Sequence, residues 1–600
     1  MPMLRNVTLI CLCLLVGTTS AQADDWTLAT GTAGTTSWQV SSPLNFVPPA
    51  GFFPVTVAAT NPSSKAVSLD YRLTSNDFSY RNNTANVATG SLEVPAYETR
   101  NATHWIWRGS NFRRSESRSV IGIEAKTPSG NSQDTLRGSD RDSGSSLAFS
   151  RAFIGSDELA SPRVGQFVYA PKRIEATVVD LGNLPADWRA LSSLYALYLT
   201  PSDWDDLSPG VRDAIRTWIG FGGVVGIVGD SAAEAQRVAD ALSPTDTGFG
   251  FFAGGNPVTA LTRNELREHV ASVGEFETAF AVGVPATELD RRVSNWRKRY
   301  TSKGNQRSTR GGRNQSFPLR DSFGRREIPY FAICMLLFVF AVLVGPVSLR
   351  LWAGPGKRHR LFLTTPIISI AASALLLLVM LLQDGLGIRG RRFTVIDLAA
   401  PSSQQAQALV YQEQFARAGM ISGGGFPLEP GLMPIIPVET IETSLAVRDD
   451  LAVGQWFSSR RDSSLALAGT VPIRWKISQL DAGEDSMHLQ IESPVGGFEV
   501  AWYVDADGLV WKWDHQTGTV PGRMRFIPAS RDADSVMEPM FERCSAGLRS
   551  SILRRLGSPT QRNRFWGLAT DGSVGARPSN PKIKWLESRL ILTSTVIPTN

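Results

Sequence analysis

The sequence predicts a multidomain α+β membrane protein of 600 residues. We expect an N-terminal β-sandwich, a doubly wound α/β domain, a hairpin of two transmembrane helices and a C-terminal β-rich domain. Three observations favour this order. Strand-like segments alternate with turn signals near the N terminus, apolar strands alternate with amphipathic helices in the middle, and two 22-residue runs without a charged side chain follow.

Residues 1–23 have the pattern of a signal peptide. Arg5 gives a positive start, Val7 to Val16 is almost entirely apolar, and Ala21 and Ala23 are small residues at a cleavage position. The apolar stretch is too short to span a bilayer, which needs about 20 residues, although an uncleaved anchor is the alternative. A cleaved leader predicts that the chain after it is exported.

Residues 24–150 predict an immunoglobulin-like β-sandwich with a binding or spacing role. The segments FFPVTVAATNP, KAVSLDYRLTS and SRSVIGIEAKT are rich in β-branched and aromatic residues. Turn signals such as Asn61-Pro62 and Pro128-Ser129-Gly130 separate them.

Residues 151–290 predict an α/β domain with a parallel sheet. The apolar strand SLYALYLT (193–200) precedes a helix with Ser208 as its N-cap and Pro209 in its first turn. The apolar strand VVGIVG (224–229) and the helical segment SAAEAQRVADAL follow. An alternation of strands and helices over this length is typical of a doubly wound sheet.

Five segments resemble one family of bacterial membrane proteins that contain a degenerate class I glutamine-amidotransferase-like domain. These are LPADWRALSSLYALYLTPSDWDDLSPGVRDAIRTWIGFGGVVGIVGD, the apolar unit GPVSLRLWAGPGKRHRLFLTTPIISIAASALLLL, TVIDLAAP, and the late FWGLATDGS with RLILTSTVIP. The resemblance implies a flavodoxin-like sheet in the α/β domain but no activity, since the family has no settled role. The chain is also similar, more distantly, to auxiliary proteins of gliding-motility-type ABC transporters.

The nucleophile of an amidotransferase is missing. Such enzymes carry a Cys in the tight turn after a strand, because its thiolate forms readily. Val228 occupies the aligned position, and the cysteines at 11, 13, 334 and 544 all lie outside this domain. The sequence therefore excludes glutamine hydrolysis by that mechanism.

A serine nucleophile is the second catalytic hypothesis. Gly229-Asp230-Ser231 matches the GDS start of SGNH-type esterases, and Asp485 with His488 matches their DxxH. However, Ser231 and Glu234 also form the S-x-x-E pattern of a capping box, and both apolar runs separate Ser231 from His488. We therefore interpret Ser231 as a helix cap.

No cofactor or metal site is predicted. The histidines at 104, 269, 359, 488 and 515 do not have metal-ligand spacing, and neither a Walker sequence nor a dinucleotide-binding glycine pattern is present. We therefore assign no catalytic, cofactor-binding or metal-binding residue.

Residues 291–327 predict a disordered basic linker before the first apolar run. Twelve Lys or Arg and one acid, Asp321, lie between Arg291 and Arg326, so the net charge of +11 there exceeds the +6 of the whole chain. Attraction to anionic lipid headgroups and a merely solvated tether are both compatible with this pattern. Nucleic-acid binding is disfavoured because the leader places the linker outside the cell.

Residues 328–349 and 361–382 are the two predicted transmembrane helices, and 350–360 is a short basic loop between them. Each run covers roughly 33 Å as a helix, close to the ~30 Å hydrocarbon core. Basic residues flank both ends, so charge alone does not give the orientation; the cleaved leader places the loop in the cytoplasm.

Residues 383–600 predict a second exported domain that is rich in strands. It opens with FTVIDLAAP and a helix-like stretch, QQAQALVYQEQFARAG, and then contains strand-like segments such as VPIRWKIS, MHLQIES and GLVWKW.

These features predict a non-enzymatic protein of the bacterial inner membrane, with most of the chain on the periplasmic side. We expect a scaffold or accessory subunit of an envelope complex whose partners are membrane lipid and other envelope proteins. An envelope serine hydrolase that uses Ser231 and an auxiliary subunit of an ABC-type transporter are the alternatives.

Overall fold

The structure, a computed structural model, divides into two compact units. Unit 1 comprises residues 1–296 and 444–450, and unit 2 comprises 297–443 and 451–600. The described residues lie, with short internal gaps, in 27–136, 145–150, 167–242, 258–266, 330–350, 361–398, 407–435, 445–454, 462–541, 562–569 and 583–596. The predicted leader 1–23 and the linker 291–327 lie outside them, as does the loop 350–360 except for Arg350.

Two antiparallel four-stranded sheets form the first part of unit 1. Their strand orders are β1-β2-β3-β6 and β5-β4-β7-β8. Alternate side chains of β3 and β4, such as Val55, Val57 and Leu69, are fully buried, as the two-residue period of a strand predicts. The strands are β1 Thr27–Ala33, β2 Thr36–Ser41, β3 Gly51–Thr60, β4 Val67–Asp77, β5 Asn83–Val94, β6 Thr99–Arg108, β7 Ser119–Thr127 and β8 Gly130–Thr135.

A six-stranded sheet forms the second part of unit 1, with strand order β10-β11-β9-β12-β13-β14. All neighbouring strands are parallel except β10, which is antiparallel to β11. The strand β9 pairs with β11 and β12, so it belongs to this sheet although it lies before residue 151. The strands are β9 Ser145–Ser150, β10 Phe167–Tyr169, β11 Lys172–Val179, β12 Ala196–Leu199, β13 Val224–Gly229 and β14 Val258–Thr262.

Three helices follow β12 and β13: α1 Pro201–Asp206, α2 Pro209–Gly220 and α3 Ala232–Leu242. The helix α2 begins as the sequence predicts, because the Ser208 side chain accepts a hydrogen bond from the Val211 amide. Its apolar face buries Ile215 and Trp218.

A short 3-10 turn, Trp188–Leu191, connects the two parts of unit 1. The buried Phe52 amide of β3 donates to the Ser192 hydroxyl at 2.9 Å. The guanidinium of Arg189 lies 5.2 Å from the Phe52 ring centre and 5.3 Å from that of Trp105, and it pairs with Asp187. This joint covers one end of the outer face of the sheet β1-β2-β3-β6.

Unit 2 contains one eleven-stranded sheet with order β18-β21-β16-β15-β28-β27-β24-β25-β26-β23-β22. Side chains of β15 and β16 share a single apolar core with those of β22 and β23 at the far edge, so the sheet curves back over itself. Its strands are β15 Ile388–Leu398, β16 Gln407–Ala418, β18 Leu432–Ile435, β21 Asp462–Pro472, β22 Lys476–Ala482, β23 Met487–Glu492, β24 Val500–Val504, β25 Val510–Trp513, β26 Arg523–Ser530, β27 Arg564–Ala569 and β28 Ile583–Thr595. The short strands β17 Phe426–Pro427 and β20 Leu451–Gly454 also belong to unit 2, and β19 Leu445–Arg448 belongs to unit 1.

Residues 407–418 of the helix-like stretch QQAQALVYQEQFARAG form the strand β16, so the predicted helix is wrong there. The strand pairs with β15 on one side and β21 on the other along its whole length. Its central polar side chains Gln412, Glu413 and Gln414 are fully buried in this position. Pairing on both sides outweighs the high helix propensity of Ala, Gln and Glu.

Two helices of unit 2 contain the apolar runs. They are α4 Tyr330–Val342, which continues into a π-helical turn at Leu343–Val347, and α5 Leu361–Asp384. The 13 residues of α4 extend only about 20 Å before the turn that contains Pro346. In α5 the side chains that the structure describes are those of residues 362–378, about 26 Å of helix.

The predicted class of a two-helix transmembrane α+β protein is contradicted. Within the residues that the structure describes, none of the helices combines the length and the apolar character needed to cross a bilayer. Strands also predominate, because 28 strands and five α-helices are present in the same residues. The described residues are therefore mainly β, and the two predicted transmembrane helices are not found among their helices.

Candidate functional site

The carboxyl edge of the parallel sheet is where the fold concentrates polar side chains. The strand order places β11 and β12 on opposite sides of β9, so the direction of winding reverses between β9 and β12. Ligands of open α/β sheets bind at such a reversal, outside the carboxyl ends of the strands. The residues that follow β9 lie outside the described part of the chain, so the described residues at this reversal are those that follow β12. The residues that follow β13 and β14 continue the same edge of the sheet and complete the candidate site.

A reciprocal capping box occupies the end of β12. The Thr200 amide donates to Asp203 Oδ2 at 2.8 Å, and the Asp203 amide donates to Thr200 Oγ1 at 3.1 Å. The Thr200 hydroxyl is also 2.7 Å from Asp203 Oδ2. Both side chains thus start α1 and hold each other in place.

The end of β14 repeats this arrangement. The amide and the hydroxyl of Thr262 donate to Glu265 Oε2 at 2.8 Å and 2.9 Å. These two hydrogen bonds, first that from the backbone, lower the pKa of the exposed Glu265 carboxyl from its ordinary value. Glu265 is therefore a fixed carboxylate at neutral pH, unsuited to act as a general acid.

Ser231 caps α3 at the end of β13. Its hydroxyl accepts a hydrogen bond from the Glu234 amide at 3.3 Å, and its carbonyl oxygen accepts one from the Ala235 amide. The turn is tight, because a Cβ added to Gly229 would lie 2.9 Å from the Ser231 carbonyl oxygen. The serine is exposed at a strand–turn–helix junction, and the described contact of its hydroxyl is a structural cap.

The charges along this edge are negative. Asp180, Asp203, Asp230, Glu234 and Glu265 all lie at the carboxyl ends of strands or in the first turn of the following helix. Within the described residues, no group of three or more His, Cys, Asp or Glu has the geometry to hold a metal ion. Chemically, the edge suits a cationic or neutral partner and repels anions.

The second half of the predicted serine-hydrolase motif lies in unit 2. His488 on β23 is hydrogen-bonded through Nδ1 to Asp481 Oδ1 at 2.6 Å, and Arg523 approaches the other oxygen of Asp481 at 3.3 Å. The partner of His488 is thus Asp481 on β22, and not the Asp485 of the DxxH pattern. Val228, the residue aligned with the amidotransferase cysteine, is a buried side chain of β13.

The Thr200–Asp203 and Thr262–Glu265 boxes were missed by the sequence analysis. Both have the pattern [ST]-x-x-[DE] directly after an apolar strand, which is a readable helix-start signal. With Ser231 and Glu234, the same pattern follows three strands of this edge.

Comparisons with known proteins give no assignment. No protein-family model matches the chain, and no curated protein matches it in sequence. The chain is similar at 11% identity and a TM-score of 0.14 to the sporulation control protein Spo0M of Bacillus subtilis, over 17% of this chain and 49% of that one. The chain therefore spans about half the length of Spo0M.

Two further structures have the same level of similarity. The Fcho1 Mu homology domain of Danio rerio with bound Eps15 peptide has 7% identity and a TM-score of 0.16, over 36% of this chain and 99% of that one. A calcium-binding mutant of Bacteroides uniformis β-glucuronidase 2 has 9% identity and a TM-score of 0.12, over 44% and 31%. TM-scores this low carry no argument about fold or function.

Proposed function

We propose that this chain is a non-enzymatic scaffold or accessory subunit of a bacterial envelope complex. The observation that carries the proposal is the exposed apolar surface of the helix pair α4–α5. Of the eighteen large hydrophobic side chains that are exposed in the described residues, thirteen lie on these two helices and the turn after α4. They are Phe331, Met335, Leu337, Phe338, Val339, Leu343, Phe362, Leu363, Ile367, Ile370, Leu375, Leu377 and Leu378.

An apolar surface of this kind is costly in water and marks a site of association. The two helices contact each other, yet Phe331 and Phe362 remain 81% and 86% exposed. Apolar side chains cover every side of α4, so that packing against one neighbour leaves other sides uncovered. A partner that covers the helix pair supports a role in an assembly.

The hydroxyl groups at the strand ends of the parallel sheet serve as structural caps, which supports a non-enzymatic role. Thr200, Ser231 and Thr262 each accept a hydrogen bond from an amide of the following helix or turn. The envelope location and lipid as a partner stay predictions, as does the role as an ABC-transporter auxiliary subunit.

Photocrosslinking tests the proposed role. In cells that carry the native gene, a variant with benzoylphenylalanine in place of Phe331 or Phe362 is expressed and irradiated. Mass spectrometry then identifies the proteins that are covalently attached to it. Tyr97, which is 73% exposed in a turn of unit 1, is the matched control position. We expect the same protein partner at both helix positions and none at Tyr97. The absence of any protein adduct at both helix positions would overturn the proposal.

A serine hydrolase that uses Ser231 is the second candidate, because Ser231 is exposed after a tight strand-to-helix turn. Hydrolysis of a nitrophenyl ester by the full chain, lost in Ser231→Ala but retained in Ser208→Ala, would favour it. Ser208 is the matched control since it caps α2 in the same way.

A further inference from the structure

The outer face of the sheet β1-β2-β3-β6 carries a grid of neutral polar side chains. Strand register gives three rows, each with one residue from every strand, and opposite residues of an antiparallel pair point to the same side. The rows are Thr27, Ser41, Thr56, Thr103; Thr30, Gln39, Ala58, Asn101; and Thr32, Ser37, Thr60, Thr99. A β-bulge follows Thr27 at the start of the first row, where the Thr27 side chain is buried and accepts a hydrogen bond from Gln39. Eleven of these twelve residues carry a hydroxyl or an amide.

Hydrogen bonds between strands orient the grid. The hydroxyls of Thr60 and Thr99 are 2.8 Å apart, and those of Thr56 and Thr103 are 3.0 Å apart. In each pair, one hydroxyl donates a hydrogen bond to the other. The second O–H group and several lone pairs are then available to a partner. With strands about 4.8 Å apart and alternate residues about 6.8 Å apart, the grid measures roughly 14 Å by 14 Å.

This face lacks charged side chains, unlike the second sheet of the same sandwich. The strands β1, β2 and β3 contain no ionisable residue in 23 positions, and the ionisable residues of β6 lie outside the three rows. The second sheet of the same sandwich carries charged side chains, including the exposed pair Arg72–Glu124. A neutral face is therefore not simply the way in which this sandwich meets water.

The joint to the parallel sheet shows how the face is divided. Beyond the row that contains Thr56, the same face continues with Pro54, Phe52 and Trp105, and the turn with Arg189 covers that end. The face is thus aromatic at the end that the Arg189 turn covers, and polar where the grid lies. Exposed members of the grid include Thr60, Thr99, Asn101 and Thr103.

We infer that this grid binds a neutral polysaccharide. Sugar hydroxyls are both donors and acceptors, as are the Thr, Ser, Gln and Asn side chains of the three rows. The lack of Lys and Arg disfavours nucleic acid and anionic headgroups, which basic residues recognise. The lack of large aromatic or aliphatic anchors in the rows disfavours a protein partner, whose binding energy such anchors supply.

A polymer fits this surface better than a single sugar. A hydroxyl contact that replaces water contributes only about 0.5–1.5 kcal/mol, so several contacts on a repeating ligand are needed for retention. This inference goes beyond the proposed role in an assembly and does not depend on the helix pair.

Polysaccharide pull-down tests the inference. The full-length protein, kept dispersed by a polyoxyethylene detergent that contains no sugar, is incubated with microcrystalline cellulose, chitin and amylose resin. The test variant carries Thr56→Val, Thr60→Val, Thr99→Val and Thr103→Val, which keep the β-branched shape but remove the hydroxyls. The control carries Ser68→Ala and Ser91→Ala, an exposed hydroxyl pair on the second sheet 3.0 Å apart.

We expect at least one of the three polymers to retain the native protein, and the fraction bound to fall at least fivefold in the test variant but not in the control. Should the fourfold variant unfold, as judged by circular dichroism, the single exposed change Asn101→Asp gives the same test by placing a charge in the middle row. No retention on any of the three polymers would overturn the inference, and so would equal retention of the native protein and the folded test variant.

Discussion

Arg564 on β27 donates a hydrogen bond to Asp397 on β15, and both side chains are buried, at 2% and 0% exposure. The strand β28 lies between them in the sheet, and its Thr593 hydroxyl accepts a second hydrogen bond from Arg564 at 3.2 Å. Three strands are thus connected by one polar group inside an apolar unit. A pair of this kind is costly to break, because either partner alone is a buried uncompensated charge.

The Arg564–Asp397 pair gives the first prediction. Arg564→Met alone should destabilise unit 2 by about 3–5 kcal/mol, since it leaves the Asp397 carboxylate without its guanidinium. The double change Arg564→Met with Asp397→Leu should recover most of that loss, because it removes both charges. Urea unfolding monitored by hydrogen exchange in β15 and β27 checks both values. A double variant as unstable as the single one would contradict the electrostatic explanation.

Ser231 gives the second prediction. Ser231→Ala removes the acceptor for the Glu234 amide and should lower the stability of unit 1 by about 1 kcal/mol, whereas Ser231→Asp should retain it. Thermal unfolding of the three proteins measures the difference. If Ser231→Ala has native stability and native fold, the cap is not the role of this serine.

The buried joint in unit 1 gives the third prediction. Ser192→Ala leaves the buried Phe52 amide without its acceptor, which should cost about 1–3 kcal/mol. Ser202→Ala is the control, because the Ser202 hydroxyl contacts Thr200 at an exposed position. Hydrogen exchange at residues 51–57 should accelerate in Ser192→Ala and stay unchanged in Ser202→Ala. Equal exchange in both variants would mean that the Ser192 contact does not hold β3.

Tyr503 gives a pH-dependent prediction. Desolvation by burial, and then the nearby negative charge of Asp505, raises the pKa of Tyr503 to about 12 from its ordinary value of 10.0. The unfolded chain loses this proton first, so the stability that Tyr503 contributes is complete below pH 10 and decreases as the pH rises towards 12.

The difference between the ultraviolet titration curves of the native protein and of the Tyr503→Phe variant measures the ionisation of this phenol. Asp505→Asn should lower the pH midpoint of the Tyr503 titration, but not as far as the ordinary value of 10.0, because burial is the larger cause of the raised pKa. A difference titration with its midpoint at 10 would show that Tyr503 is hydrated.

The sequence predicted the parts of the fold whose causes are local. The cap of α2 by Ser208 and that of α3 by Ser231 depend on side chains and amides three residues apart, and both are present. The strand–helix alternation of the α/β domain has the same local origin. The apolar runs form helices, but the predicted transmembrane class is contradicted, because the described helices do not meet the requirements for a crossing.

Tertiary structure decided the rest. Whether QQAQALVYQEQFARAG is a helix or a strand depended on two neighbouring strands, β15 and β21, and not on its own propensity. Asp397 and Arg564 are 167 residues apart in the chain, and the hydroxyl grid exists only because four strands align in one register. Local sequence spacing determines the helix caps and the periodicity of helices and strands. Strand order and register determine which distant side chains meet. The free energy of burial that selects this order and register is a property of the whole sheet.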